Sequence, residues 1–277
     1  MDNWIIHIRK KFPIHDIANL LSARQVAVEE PGSSPRFKER RMRNIFNALF
    51  RPKVVKRNKP FEVQKRLLGG AADLVIFDVG AYVGEVTVTY KRVFPQSTIY
   101  CFEPFPDSFQ KLNRFSGDAS IKANQLAFSD KEGKTTFHTN VDLSCNSLLP
   151  PTESDFKCYS AKSIKDGEIQ VETNTLDNFC AGAKISCIDI LKLDVEGAEV
   201  KVLEGASRML SKQAIKIIYS EVMFIHHYTD GCLFHELTAL LNKHGYTLFN
   251  LYHLKSARNG QLRWGNAIFL SPEIRAY

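Results

Sequence analysis

Two regimes of hydrophobic patterning divide the chain, and the change falls near Ala71. From there on, short apolar runs alternate with stretches of helical periodicity. Leu74–Asp78 is apolar up to its last residue and stops just before Gly80, which predicts a strand buried on both faces of a parallel sheet. Thr98–Phe102 predicts a second strand and Gln125–Phe128 a third. Lys134–Thr139 follows the turn Asp130-Lys131-Glu132-Gly133 as a further strand. Cys187–Leu193 is a strong strand that ends at Asp194, and Ala214–Tyr219 is another. Between them Ala198–Leu210 repeats apolar positions at helical spacing (Val202, Leu203, Ala206, Met209, Leu210), and Leu233–His244 does the same later. Tyr246–Leu251 and Ala267–Leu270 close the chain, and the short connection Tyr252–Asn266 suits an antiparallel pair. Strands that alternate with helices predict an α/β fold, a doubly wound sheet over residues 71–277.

Before Ala71 the pattern is helical and weaker. Trp4–Leu21 is weakly amphipathic, and Glu29–Pro35 reads as a loop. Residues 36–50 place Phe37, Ile45, Phe46 and Leu49 on one side of a helix that Pro52 stops. Pro60 opens another helix, closed by Gly69-Gly70. Residues 1–70 thus read as an N-terminal helical extension. Charge sharpens this division. The 277 residues carry a net charge of +7. Residues 36–66 hold twelve Lys/Arg against two Glu, while residues 1–35 balance at four of each sign, so residues 67–277 sum to −3. The basic segment suits an anionic partner or a membrane surface, and a solvated linker or a subunit contact explains it equally well. Homo-oligomerisation is open. No run approaches the ~20 apolar residues of a spanning helix. Met1–Lys11 lacks the features of a secretory signal, and six scattered Cys show no zinc spacing. A cytoplasmic protein with reduced thiols is the expectation.

Three motifs carry the chemistry. The first is Phe77-Asp78-Val79-Gly80-Ala81-Tyr82-Val83-Gly84, a strand, a tight turn and a helix start. Glycine there allows close backbone approach to a nucleotide. The spacing is GxxxG rather than the GxGxxG of dinucleotide-binding oxidoreductases, which disfavours them. A carboxylate two residues before the turn suits a cofactor with positive charge, such as S-adenosylmethionine. The second motif is Cys101-Phe102-Glu103-Pro104, which puts a carboxylate at a strand end, where it accepts from both ribose hydroxyls. The third, Ile188–Glu199, places Asp194, Glu196 and Glu199 where a strand gives way to a helix, facing the cleft of an open α/β sheet.

The strings Asp78–Gly84, Phe102-Glu103-Pro104, Leu126–Asp130, Thr175-Leu176-Asp177 and Leu191–Glu199 resemble the FkbM family of S-adenosylmethionine-dependent methyltransferases, over roughly residues 71–270. The resemblance implies a class I methyltransferase fold, Rossmann-like, with seven strands and the last antiparallel. It also implies methylation of a hydroxyl of a sugar, glycoconjugate or secondary metabolite. Asp78, Gly80, Ala81, Tyr82 and Gly84 would then hold the methionine part and Glu103 with Pro104 the ribose. Ala127 would meet the adenine, and Asp194 would flank the cofactor. Tyr82 departs from the Asn that family members often carry.

Oxygen methylation needs an aligned nucleophile and a proton acceptor. Asp194, Glu196, Glu221 and His226 are the candidate catalytic residues, with His227 behind them. Asp194, Glu196 and Glu221 could instead hold Mg²⁺. Phe224, Tyr228, Trp264 and Tyr252-His253 could line a sugar pocket, or pack. No Asn-Pro-Pro-Tyr, Asp-Pro-Pro-Tyr or Pro-Cys string is present, which argues against methylation of nucleobases, and a nucleic acid is not the expected partner. An RNA ribose 2′-O-methyltransferase that uses the basic segment is one alternative reading. A non-catalytic cofactor-binding protein is another.

Overall fold

The computed structural model describes residues 59–152 and 165–274. The chain divides into two units, residues 1–58 and 59–277. The amphipathic stretch and most of the basic segment lie outside the described residues. The second unit begins with α1 (Pro60–Leu67), opened by its proline. This helix is part of the core: Tyr90 Oη donates to Gln64 Oε1 at 3.1 Å, and Phe61 packs edge-on to Tyr90 and Tyr219. The boundary expected at residue 70 therefore moves to before Pro60.

A seven-stranded sheet forms the centre. Its strands are β1 (Val75–Val79), β2 (Thr98–Phe102), β3 (Ile121–Asn124), β7 (Ile188–Leu193), β8 (Ile215–Met223), β9 (Thr247–Ser256) and β10 (Leu262–Leu270), in the order β3-β2-β1-β7-β8-β10-β9. All neighbours are parallel except β10, which is antiparallel to both β8 and β9. The seven strands with a reversed last strand match the expectation. All six residues of β7 are buried, as its apolar run required. Alternate residues of β1 enter two different clusters: Phe77 and Val79 join Leu191 and Phe102 on one face, and Ile76 joins Ile99 and Ile190 on the other.

Three departures from the sequence expectation have local causes. The third sheet strand is Ile121–Asn124, while Ala127–Phe128 is β4 of a separate small sheet, order β4-β6-β5. That sheet pairs β5 (Gly133–Asn140) with β6 (Lys165–Asn174), a strand whose polar, charged alternation gave it no apolar signature. The helix expected over Ala198–Leu210 splits into α5 (Glu199–Glu204) and α6 (Ser207–Ser211). Gly205 sits at the break, where an added Cβ would lie 2.1 Å from the Ser129 carbonyl oxygen, so the chain there passes against β4. Finally, β9 and β10 run longer than expected, and only residues 257–261 connect them. The remaining helices are α2 (Glu85–Val93), α3 (Pro106–Leu112), α4 (Leu176–Gly182) and α7 (Phe234–Lys243).

Cys101, Cys180, Cys187 and Cys232 are free thiols, but Cys145 is disulfide-bonded. The expectation of uniformly reduced cysteines is corrected there. Spacing along the chain does not show which sulfurs meet in space.

Candidate active site

The connections from β1 run one way to β2, and β7 takes up the other side of β1. This reversal opens a crevice outside the carboxyl ends of the strands, the usual ligand site of an open α/β sheet. The turn after β1 forms its floor. Gly80 N and Ala81 N both donate to the Phe102 carbonyl at 3.0 Å. Gly80 has φ +72°, and a Cβ there would stand 1.9 Å from the Asp194 carbonyl oxygen. No other residue fits between the ends of β1 and β7. Gly84 has φ +91° for a different reason: a Cβ would meet the Phe115 ring at 2.7 Å. It seats the start of α2 against Phe115 and Leu112, where α3 ends, and does not line the crevice. Tyr82, between them, takes a left-handed backbone at φ 50°.

That backbone aims the Tyr82 N–H at Glu103. Glu103 Oε2 accepts from Tyr82 N and Oε1 from Phe105 N, both at 2.9 Å. The carboxyl is therefore fixed in orientation, and each oxygen keeps a further lone pair. Burial pushes its pKa up to about 7, against the opposing pull of the two N–H donors. Beside it Leu126, Ala127, Phe128, Phe137 and Leu148 form a narrow apolar slot that continues to Gly80, Tyr82, Pro104 and Asp194. A fixed carboxyl, an apolar slot and a side-chain-free turn thus lie side by side on the cleft.

Under the floor lies a buried cation. Lys192, next to the carboxyl end of β7, stands in register with Asp78 of β1. Its Nζ lies 3.1 Å from Asp78 Oδ1 and 3.7 Å from Asp194 Oδ2, and donates to the Gly80 carbonyl at 2.7 Å. Burial works against its charge, and the two carboxylates more than offset it, so its pKa lies above the usual lysine value. Asp78, fully buried, also accepts from Thr87 Oγ1 at 2.6 Å. Expected at the methionine part, Asp78 instead supports the floor through Lys192 and lines neither cavity. Lys192 was missed in sequence reasoning, although a lysine inside an apolar strand buried on both faces must have a partner.

Asp194 and Glu196 line both the slot and an outer cavity of about 360 Å³. Glu196 is buried and has φ 56°, a costly conformation for a non-glycine residue and one that gathers at functional sites. Tyr228 Oη shares its single proton between Glu196 Oε2 at 2.8 Å and the Cys145 carbonyl at 2.9 Å. Burial first, then Glu196, push Tyr228 well above the usual range, so it stays a donor. Glu199, which opens α5, is buried and accepts from Val195 N at 3.1 Å and from Cys232 Sγ at 3.4 Å. It holds the turn rather than facing the cleft.

Glu221 is buried on β8 and lines neither cavity. Its carboxyl nevertheless has an oxygen within 4.8 Å of oxygens of both Asp194 and Glu196, a set that could hold a metal ion. His226 Nδ1 lies 3.1 Å from the Gly231 carbonyl, which turns the ring to its own loop. His227 is buried and stands perpendicular to Trp264, ring centres 5.9 Å apart. The structure thus gathers Gly80, Ala81, Tyr82, Glu103, Pro104, Ala127, Asp194 and Glu196 on the cleft. It leaves Asp78, Gly84, Glu221 and His226 behind its walls.

A reversed seventh strand, this strand order and a crevice at the switch point define a class I methyltransferase fold. A family model, the methyltransferase FkbM domain, matches residues 78–248, more than half of the chain. The chain belongs to that family. The 2-O-methyltransferase NoeI of Sinorhizobium fredii is 30% identical over 159 residues, 54% of this chain and 63% of that protein. The 31-O-demethyl-FK506 methyltransferase FkbM of Streptomyces tacrolimicus is 31% identical over 196 residues, 63% of this chain and 73% of that one. The chain spans about three fifths of the length of the first curated relatives it matches. Among solved structures, magnesium protoporphyrin IX methyltransferase of Synechocystis PCC 6803 superposes with a TM-score of 0.43 at 8% identity, over 91% of this chain and 90% of that one.

Proposed function

We propose that the chain is an S-adenosylmethionine-dependent O-methyltransferase that acts on a hydroxyl of a sugar, glycoconjugate or secondary metabolite. The observation that carries the reading is Glu103: a buried carboxyl pinned by two backbone N–H groups at the mouth of an apolar slot. Each of its oxygens keeps a lone pair beyond the one that its backbone donor uses, so such a group can accept from a ribose diol. Family membership and the O-methyltransferase names of two relatives support the oxygen-directed part.

Bound there, the cofactor supplies an electrophilic methyl group with a neutral thioether as leaving group. The chain's part is to place and deprotonate the acceptor. Glu103 holds the ribose. Gly80, with no side chain, lets the methionine part lie against the turn that Lys192 clamps. Glu196 is the proton acceptor in this reading, because it faces both cavities and the Tyr228 hydroxyl sets its orientation. Asp194, paired with Lys192, orients the acceptor beside it. Glu196→Gln is expected to lower turnover by about 10²–10⁴-fold, the usual worth of a positioned base, while S-adenosylhomocysteine affinity stays within a few-fold. Unchanged turnover would move the role to Asp194.

The convergence of Asp194, Glu196 and Glu221 favours a second reading of the same step, in which Mg²⁺ lowers the acceptor hydroxyl's pKa. Tyr228 and Lys192 already compensate two of these carboxylates, so the first reading needs no ion. Activity lost in EDTA and restored by Mg²⁺ would establish the second.

A further inference from the structure

Of the aromatic residues that the sequence offered for an acceptor pocket, the structure separates one from the rest. Tyr228 and Tyr252 are buried, and Phe224 packs on Phe234 with ring centres 5.4 Å apart. Trp264 alone among them lines the outer cavity, together with Gly80, Tyr82, Glu85, Lys192, Asp194 and Glu196 among others. Its placement is built. On one side β10 pairs Trp264 regularly with Met223 of β8. On the other side the register to β9 shifts both before and after Trp264. Such bulges re-aim a side chain, and they are common next to active sites. Gly265 permits the close approach: a Cβ there would lie 3.0 Å from the Tyr252 carbonyl oxygen. Behind the indole, the buried His227 ring stands at 90° to it.

We infer that Trp264 is the platform on which the acceptor lies, and that the acceptor group is an electrically neutral, polyhydroxylated ring. The inference rests on the methyltransferase reading above and narrows it. An indole face takes the apolar C–H face of a pyranose, burying area without demanding a hydrogen bond. Ionised carboxylates accept hydrogen bonds and donate none. Glu85, Asp194 and Glu196 around the same cavity therefore match a ring whose rim is hydroxyl donors. Lys192 lines the cavity as well, but its ammonium is held by Asp78 and Asp194, so a carboxylate or phosphate on that ring would still meet an excess of like charge. The cavity, about 360 Å³, is at the small end of the ~300–1,000 Å³ usual for ligand sites, and Gly80 and Ala81 of the turn that takes the methionine part line it too, so what is left for the acceptor holds no more than one ring. A nucleobase could also stack on an indole, but its phosphates would enter the same acidic rim.

The test uses the full chain carrying Trp4→Phe, which leaves Trp264 as its one tryptophan. Calorimetry with S-adenosylhomocysteine comes first; a folded protein that does not bind it refutes the methyltransferase reading and the platform with it. With that ligand saturating, methyl hexopyranosides are expected to change Trp264 emission saturably. The matching methyl hexuronides should need at least about tenfold higher concentration at low salt, as one like-charge contact near a surface implies. Glu85→Gln should narrow that gap, and Trp264→Ala should bind S-adenosylhomocysteine normally while losing glycoside-dependent activity or binding by about tenfold or more. Uronides that bind as tightly as neutral glycosides overturn the charge assignment. Cofactor-product binding with no response to any neutral glycoside, or a tighter response to a short oligoribonucleotide, overturns the platform.

Discussion

Glu103 and Lys192 carry most of the site's electrostatics, and each makes a separate prediction. In the empty site burial holds the Glu103 pKa near 7, above the usual carboxyl value of 4.5. A diol donates, so it binds the ionised form. Affinity for S-adenosylhomocysteine should therefore rise as pH goes from about 5.5 through 7 and level off above, with a proton released on binding. Calorimetry at pH 6 and pH 8 should show this, and Glu103→Gln should flatten it. The same shift has the opposite sign for stability: the fold binds the proton more tightly than the unfolded chain, so Glu103 costs stability as pH rises from about 4.5 to 7. Lys192→Met removes the clamp between the Gly80 carbonyl, Asp78 and Asp194 and leaves the buried Asp78 carboxylate without its cation, a change that typically costs about 3–5 kcal/mol. Lys192→Arg should recover part of the lost thermal stability and part of the cofactor affinity; equal damage by both would show that only the ammonium's shape is tolerated. The place of Glu103 on the cleft was legible because it ends a strand beside a glycine turn, where the crevice of an open α/β sheet lies. The pairing of Asp78 with Lys192 was not legible, because it is set by register with β7, and cross-strand register is not written in local sequence.

Among the elements, the resemblance motif Thr175-Leu176-Asp177 turns out to be structural. Thr175 caps α4 by accepting from Asn178 N at 3.1 Å. Asp177 reaches across to α6 and accepts from Arg208 N at 2.7 Å and Met209 N at 3.0 Å. Two helix starts are thus tied together under the sheet. Asp177→Ala should lower stability by about 1 kcal/mol, within the ~0.5–2 range for lost caps. The measurement is a denaturant midpoint, with S-adenosylhomocysteine affinity unchanged; a loss of affinity instead would give Asp177 a part in the site. Long apolar elements such as β7 and α7 were legible because burial on one or both faces dictates their composition. Short or polar ones were not. β6 pairs with β5 through charged and hydroxyl-bearing residues that read as loop. Gly205 breaks a helix for the sake of a neighbour 76 residues earlier, Ser129.

At the scale of the molecule, one reversed strand and one switch point produce the cleft, and both were legible from the alternation of strands and helices and the short final connection. The distribution of chemistry around the cleft was less so. Sequence named the three carboxylates, but only the packed fold shows that Asp194 and Glu196 face both cavities while Glu221 stands behind, or that Trp264 is turned inward by a bulge. All of these roles depend on a nucleoside occupying the slot beside Glu103. The most direct test is calorimetric titration of the wild-type chain and of Glu103→Ala with S-adenosylhomocysteine. Micromolar binding by the wild type, weakened at least about tenfold in a variant that remains folded, is the expected result. A folded wild-type protein that does not bind, or a Glu103→Ala variant that binds equally well, would contradict the assignment of this cleft.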